Sequence, residues 1–193
     1  MVALDVEQDE ILLDMLMRTE GKAEIVNGRI VQFMSTGDEP GYAGDAITNS
    51  LWEYVQRTRR GRAVGDNKGF RCNLPHRKSF SPDAAYYTGP RGGMKFYPEP
   101  PVFAVEVRSE NDYGSNMEVE MELKRADYFA AGTLVVWDVD LFAEDVVKKY
   151  SAQNPTQPEL FKRGETANAE PAVPGWTMEV NQLFDPVWEQ QEA

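Results

Sequence analysis

Two carboxylates, each set in a short run of β-forming residues, and a lysine on the helix that follows them constrain this chain more than any other feature. Residues 81–132 read SPDAAYYTG, a turn rich in proline and glycine, VFAVEVRSEN, and then SNMEVEMELKRADYFAAG. Side chains two apart share a strand face, so Val102, Ala104, Glu106 and Arg108 are expected on one face and Phe103, Val105 and Val107 on the other. Pro82 opens the earlier run, in which Asp83, Ala85 and Tyr87 share a face. A carboxylate on a central strand is costly unless it is paired or ligates a cation, which makes Asp83 and Glu106 candidate metal ligands.

The helix after Glu106 has readable ends. Ser115 and Glu118 stand at capping-box spacing, and Gly132 supplies a stop. At about 100° per residue, Met117, Met121, Lys124, Tyr128 and Ala131 fall on one side, with Glu120 at the margin. Lys124 therefore points where apolar neighbours point. Two readings stay open: an amine that snorkels to water or pairs with Glu120, and an amine delivered to the two carboxylates, where desolvation would lower its pKa.

Composition narrows the chemistry. A single cysteine, Cys72, excludes an internal disulfide, and a single histidine, His76, leaves any zinc site to be built almost entirely from carboxylates, so a hard cation is favoured. The 193 residues, 41% hydrophobic, suffice for one core, and a single domain over 1–193 is expected. No apolar run reaches eighteen residues and the N-terminal MVALDVEQDE is acidic, so a cytoplasmic protein with no membrane span is expected.

Net charge is −12, against the basic surface expected of a nucleic-acid binder. The charge is uneven. Residues 57–78 hold eight Lys/Arg and one acid, a net of +7, while the rest of the chain, with 12 basic and 31 acidic residues, carries −19. This segment reads either as a patch for phosphates or as a loop that balances an acidic protein.

In chain order, Asp5 with Gln8 is expected to cap a first helix running to about Arg18, with Ile11, Leu12, Met15 and Leu16 on its apolar face. AEIVNGRIVQFM centres on Asn27-Gly28, a strong hairpin signal, with Glu24 near its start. Residues 35–44 read as a loop, and DAITNSLWEYVQ as a helix. AVGDNKGFRCNL is a strand or strand pair, TLVVWDVD a buried strand, EDVVKKYSA with PELFKR an antiparallel extension, and VPGWTMEVNQLF a short strand ending in a hydrophobic clamp. The sum is an α/β chain: a mixed sheet with helices against it.

Hydrolysing a phosphodiester requires neutralised phosphate oxygens and an activated water, which a divalent ion on a few carboxylates supplies, and a neighbouring Lys or Arg can stabilise developing charge. The order of Glu24 and Gly28, a helix, Pro82-Asp83, Glu106-Val107, a helix with Lys124, Tyr128 and Ala131-Gly132, then Trp137-Asp138-Val139-Asp140 and Pro174-Gly175 resembles the bacterial Uma-type family of putative restriction endonucleases, within the PD-(D/E)xK nuclease superfamily. The resemblance spans about residues 23–184. It implies a restriction-endonuclease-like αβββαβ core, here with an added N-terminal helix and hairpin. It further implies Mg²⁺ or Mn²⁺ on Asp83 and Glu106, with Lys124 as a catalytic lysine moved from strand to helix. Glu24 matches a recurrent family glutamate and is an additional candidate, as is Arg108, which stands at the strand position of the superfamily lysine. Gly44 falls about where the family has a histidine. The activity implied is divalent-metal-dependent DNA endonuclease, with DNA as partner and a homodimer as the simplest way to cut both strands. A catalytically inactive nuclease-fold protein serving as a binding or assembly module is the alternative, motivated by the acidic balance and the altered motif.

Overall fold

The runs of β-branched and aromatic residues come together as a six-stranded sheet, seen here in a computed structural model that describes residues 2–187 and, for residues 2–7, the backbone alone. The elements are α1 (Val2–Met17), β1 (Ala23–Val26), β2 (Arg29–Gln32), α2 (Asp38–Thr58), β3 (Arg62–Gly65), β4 (Phe70–Arg71), β5 (Ser79–Phe80) and β6 (Ala84–Tyr87). They continue as β7 (Phe103–Val107), α3 (Ser115–Ala130), β8 (Val135–Val139), β9 (Val147–Ser151), β10 (Asn154–Phe161), β11 (Thr166–Asn168), β12 (Thr177–Glu179) and a 3₁₀ turn (Val180–Leu183). The large sheet runs β10-β9-β8-β7-β6-β3. Its β7–β8 pair is parallel and its other neighbours are antiparallel. Parallel neighbours need a crossover, and α3 provides it. The order α2-β3-β6-β7-α3-β8 is the αβββαβ core expected from the sequence.

Strict alternation divides the sheet faces. Phe103, Val105, Val107, Val135, Trp137 and Val139 face α2, where Ile47, Leu51 and Tyr54 meet them. The C-terminal segment closes this layer with Trp176, Met178 and Leu183. Phe103, Trp137 and Trp176 form an aromatic triangle with ring centroids 5.2–5.7 Å apart. On the other face Ala85, Tyr87, Ala104 and Val136 pack with Phe70, Phe80 and Tyr128. Tyr128 lies flat on Phe80 at 4.1 Å.

The β1–β2 hairpin turns at Asn27 and Gly28, both at positive φ (51° and 69°), as a two-residue turn of the primed kind requires. It docks beside β5: the Lys78 N–H donates to the Ile25 carbonyl at 3.0 Å, and the Ile25 N–H to Ser79 Oγ at 2.8 Å. Leu13 and Leu16 of α1 cover its apolar side, against Ala23 and Ile25.

Three local expectations are corrected. α2 starts at Asp38, inside the stretch read as a loop; Pro40 sits in its first turn, where a missing N–H costs nothing, and Asp38 and Glu39 favour the helix N-terminus. α1 begins upstream of Asp5, whose side chain lies outside the described residues. Its buried face is Leu13 and Leu16, while Ile11 and Met15 are exposed, because Asp9 and Glu10 orient the helix by pairing with Lys78 and Arg71. The Ser115–Glu118 capping box does not form: Gly114 is the N-cap without a side-chain bond, and Glu118 is taken by Arg108. Among the described residues no helix is long and apolar enough to cross a membrane.

Trp176 joins the C-terminal segment to the core, so Trp176→Ala should cost about 3–5 kcal/mol of unfolding free energy in urea titrations. A loss below about 1 kcal/mol would show that the segment is not part of the cooperative core.

Candidate functional site

Register across the sheet sets acidic side chains in a line. Glu106 of β7 lies opposite Asp138 of β8, which lies opposite Lys148 of β9. The Ala84–Val105 pairing, continued by one residue, brings Asp83 beside Glu106, and the Gly65–Ala84 pairing continued likewise brings Asp66 beside Asp83. Side chains directly opposite share a face and repel when alike in charge. Asp66, Asp83, Glu106 and Asp138 can therefore stand together only if cations reach between them.

Each cation arrives on a different element. Lys22, just before β1, bridges Asp83 Oδ1 and Asp66 Oδ1, the latter at 2.8 Å. Asp83 Oδ2 accepts the Val107 N–H at 2.6 Å, which fixes the carboxylate against β7. Lys124 of α3 places its amine 2.8 Å from Glu106 Oε1 and 3.1 Å from Glu24 Oε1. Tyr128, one turn on, donates to the same Glu106 oxygen at 2.6 Å. Glu24, 1% exposed, also accepts the Ser81 N–H at 2.9 Å and pairs with Arg77. Arg77 in turn bonds Asp127 at 2.8 Å, and His76 caps the chain at 2.7 Å from the other Asp127 oxygen.

Burial pushes the Glu24 carboxyl up, but Lys124 and Arg77 outweigh it and hold the pKa below the usual value. At Glu106 burial prevails over Lys124, and Asp83 beside it adds to the rise, so its pKa lies above the usual carboxylate value. The expectation that desolvation would lower Lys124 is overturned: burial does pull its amine down, yet Glu106 and Glu24 raise it further. The two carboxylates thus hold Lys124 in its charged form. Lys22 behaves in the same way, with Asp83 and Glu106 overcoming burial. Burial and Glu106 together lift the Tyr128 hydroxyl well above its normal pKa, so it stays a donor.

Asp83, Glu106, Lys124 and Glu24 are thus brought together. Arg108 is not. It shares the Glu106 face but is 4% exposed and spends its guanidinium on Asp138, at 2.8 and 3.0 Å, and on Glu118. Lys124 does not pair with Glu120 or snorkel to water. Gly44 lies against Asp83, where an added Cβ would come 3.7 Å from the Asp83 Cβ. The basic segment divides: Arg71, Arg77 and Lys78 are taken up by Glu10, Glu24, Asp127 and Asp9. Arg57 to Arg62 lie at the opposite end of β3 from Asp66, roughly 13 Å away at strand rise.

Lys22, Arg77, Asp127 and Tyr128's donor role were not anticipated. Lys22 stands two residues before Glu24, the same alternation that marks Glu24. Arg77 was hidden among other basic residues.

Asp83 and Glu106 offer oxygen donors, the class a hard divalent cation takes. Among the described residues, five carboxylates (Glu24, Asp66, Asp83, Glu106 and Asp127) share three Lys/Arg cations (Lys22, Arg77 and Lys124), leaving two negative charges without a lysine or arginine. Glu106 Oε2 has no hydrogen-bond partner among the described residues. No group of three or more His, Cys, Asp or Glu side chains there is arranged to hold an ion. Two carboxylates with water and phosphate oxygens completing the shell is an ordinary Mg²⁺ arrangement.

Comparison with known proteins bears on the fold and the family. No curated protein matches the chain. A crystal structure described as a putative nuclease belonging to DUF820, from Anabaena variabilis, superposes with a TM-score of 0.67 at 18% identity, covering 89% of this chain and 96% of that one, and so shares its fold. The Uma2 family model, described as putative restriction endonuclease, matches residues 8–181, which is most of the sequence, and the chain belongs to that family.

Proposed function

We propose that this protein is a divalent-metal-dependent DNA endonuclease that hydrolyses phosphodiester bonds, with Asp83 and Glu106 as metal ligands and Lys124 as the catalytic cation. The observation that carries this reading is the placement of Asp83 beside Glu106 on one sheet face, with the Lys124 amine 2.8 Å from Glu106. Family membership supports the reaction class. The reading takes residues 1–193 as one nuclease-like domain, acting in the cytoplasm on DNA as a homodimer.

Mg²⁺ or Mn²⁺ held by Asp83 and Glu106 would neutralise anionic phosphate oxygens and activate water. The protein's own contributions are positional. Val107 N–H orients Asp83, and Tyr128 and Lys124 both bond one Glu106 oxygen, leaving the other without a hydrogen-bond partner among the described residues. Lys124, kept protonated by Glu24 and Glu106, offers a preorganised positive charge to a phosphate in transit, the kind of contact worth most where water is excluded. Glu24 holds that amine in place and is itself anchored by Arg77 and Ser81.

One observation favours the alternative of an inactive binding module: the Lys22 amine already occupies Asp83. A nuclease assay on plasmid and linear DNA with Mg²⁺ or Mn²⁺ separates the two, since the module would bind without cutting.

Three outcomes are expected. Melting temperature should rise with Mg²⁺ or Mn²⁺ by mass action, and Asp83→Asn should remove most of that rise; an undiminished rise would place the ion elsewhere on the acidic surface. Lys124→Ala should lower metal-dependent cleavage by about 10²-fold or more, the scale for losing one electrostatic transition-state contact. Full activity in a folded Lys124→Ala protein would leave the lysine as a structural pair. Arg108→Ala should act on stability, costing about 1.5–3 kcal/mol because it removes two charged hydrogen bonds from the buried Asp138 and leaves it Arg125 alone, at 3.0 Å, and equal stability with weakened DNA affinity would reassign it to phosphate contact.

A further inference from the structure

Lys22 is built into the site more tightly than a neutralising surface lysine needs to be. Its side chain is 13% exposed, and its amine is shared between a buried acid, Asp83, and a rim acid, Asp66. Both seats are fixed. Asp83 is held by the Val107 N–H, and Asp66 accepts the Asn67 N–H at 2.6 Å. The base of the lysine is fixed as well, because the hairpin that follows it is bonded to β5 through Ile25, Lys78 and Ser79. The amine thus has two positions within a small movement, one on a candidate metal ligand and one just outside it.

A divalent ion that takes Asp83 Oδ1 meets this amine on the same oxygen. Two cations cannot share one carboxylate oxygen at contact distance without repulsion in a poorly solvated site. We propose that Lys22 is a tethered competitor that sets how tightly the divalent cation binds at Asp83, retreating to Asp66 when the ion arrives. The inference rests on the metal site given under Proposed function. Lys22 is accordingly an affinity-setting residue rather than a catalytic one. It offsets part of the acid row's charge when no metal is present, and it raises the ion concentration at which the site fills.

The test is calorimetric titration of Mg²⁺ and of Mn²⁺ alone into the full chain, with folding checked by circular dichroism. Lys22→Met and Lys22→Gln should bind at least about tenfold more tightly, the scale of coupling between close charge pairs, while Lys22→Arg, which keeps the charge, should bind no more tightly than wild type. Lys68→Met removes an exposed cation that bonds the Asp66 carbonyl at 2.9 Å and does not touch Asp83; it should change affinity by less than about twofold, since exposed charge is screened. If Lys22→Met does not fold, Lys22→Gln decides alone. Unchanged or weaker binding in the neutral variants overturns the proposal, as does equal tightening in Lys68→Met or in Lys22→Arg. Asp83→Asn separates this failure from a failure of the site: heat that persists in that variant removes the metal site itself, whereas heat lost there but unaltered in the Lys22 variants removes only the competitor.

Discussion

A carboxylate buried on a sheet face stays charged only if a cation is carried to it, and much of this protein's departure from a bare αβββαβ core serves that need. Removing an ion from water costs several kcal/mol even after relaxation, and a pair repays it only when geometry is good and remaining hydrogen-bonding positions are filled. Here each amine serves two acids: Lys22 meets Asp66 and Asp83, Lys124 meets Glu24 and Glu106. Such sharing makes the elements interdependent. The β1–β2 hairpin supplies Glu24, and the position two before Glu24 supplies Lys22, so a hairpin that failed to dock would leave Lys124 with one carboxylate and Asp83 with only the Val107 N–H. Helix α1 belongs to the same construction, because Leu13 and Leu16 hold the hairpin down and Asp9 and Glu10 bind the segment that carries Arg77 and Lys78.

The same electrostatics bear on how a nucleic acid could approach. DNA brings a dense row of phosphates, and a row of acids repels it. The positive charge nearest the acids is committed: Arg77 and Lys78 are consumed internally, and Arg57 to Arg62 stand at the far end of β3. A divalent ion between Asp83 and Glu106 would change the sign of the field where it matters. Metal and phosphate would then bind together more readily than either alone, and the overall charge of −12 ceases to argue against a nuclease.

What could be read from the sequence was what periodicity carries. Two-residue alternation placed Glu106 away from Phe103, Val105 and Val107, and the helical stripe placed Lys124 with Tyr128; both hold because one face of each element had to be buried. Asn27-Gly28 fixed the hairpin because few residues accept two successive positive φ angles. The start of α2 was hidden because glycine and proline signal turns, although proline in a first turn and glycine against a neighbour such as Asp83 are both compatible with helix. Pairings remote in sequence, Lys22 with Asp83 and Arg77 with Asp127, have no local signature at all. They exist only once the hairpin has met β5 and α3 has crossed over β7.

The contrast between Arg108 and Lys124 shows why the cation at the site comes from the helix. Both lie on the Glu106 face, and on strand spacing alone Arg108 is the closer candidate. The parallel pairing of β7 with β8, however, sets Asp138 directly beside Glu106, and that acid, 1% exposed, needs a partner of its own. A guanidinium matches a carboxylate through two parallel bonds, so Arg108 satisfies Asp138 better than a lysine could and has its remaining donors drawn to Glu118. With the strand cation committed to β8, Glu106 can be served only from across the sheet face. Lys124 has the length to do so from α3, and its single ammonium, unlike a planar fork, can sit between two carboxylates on different strands.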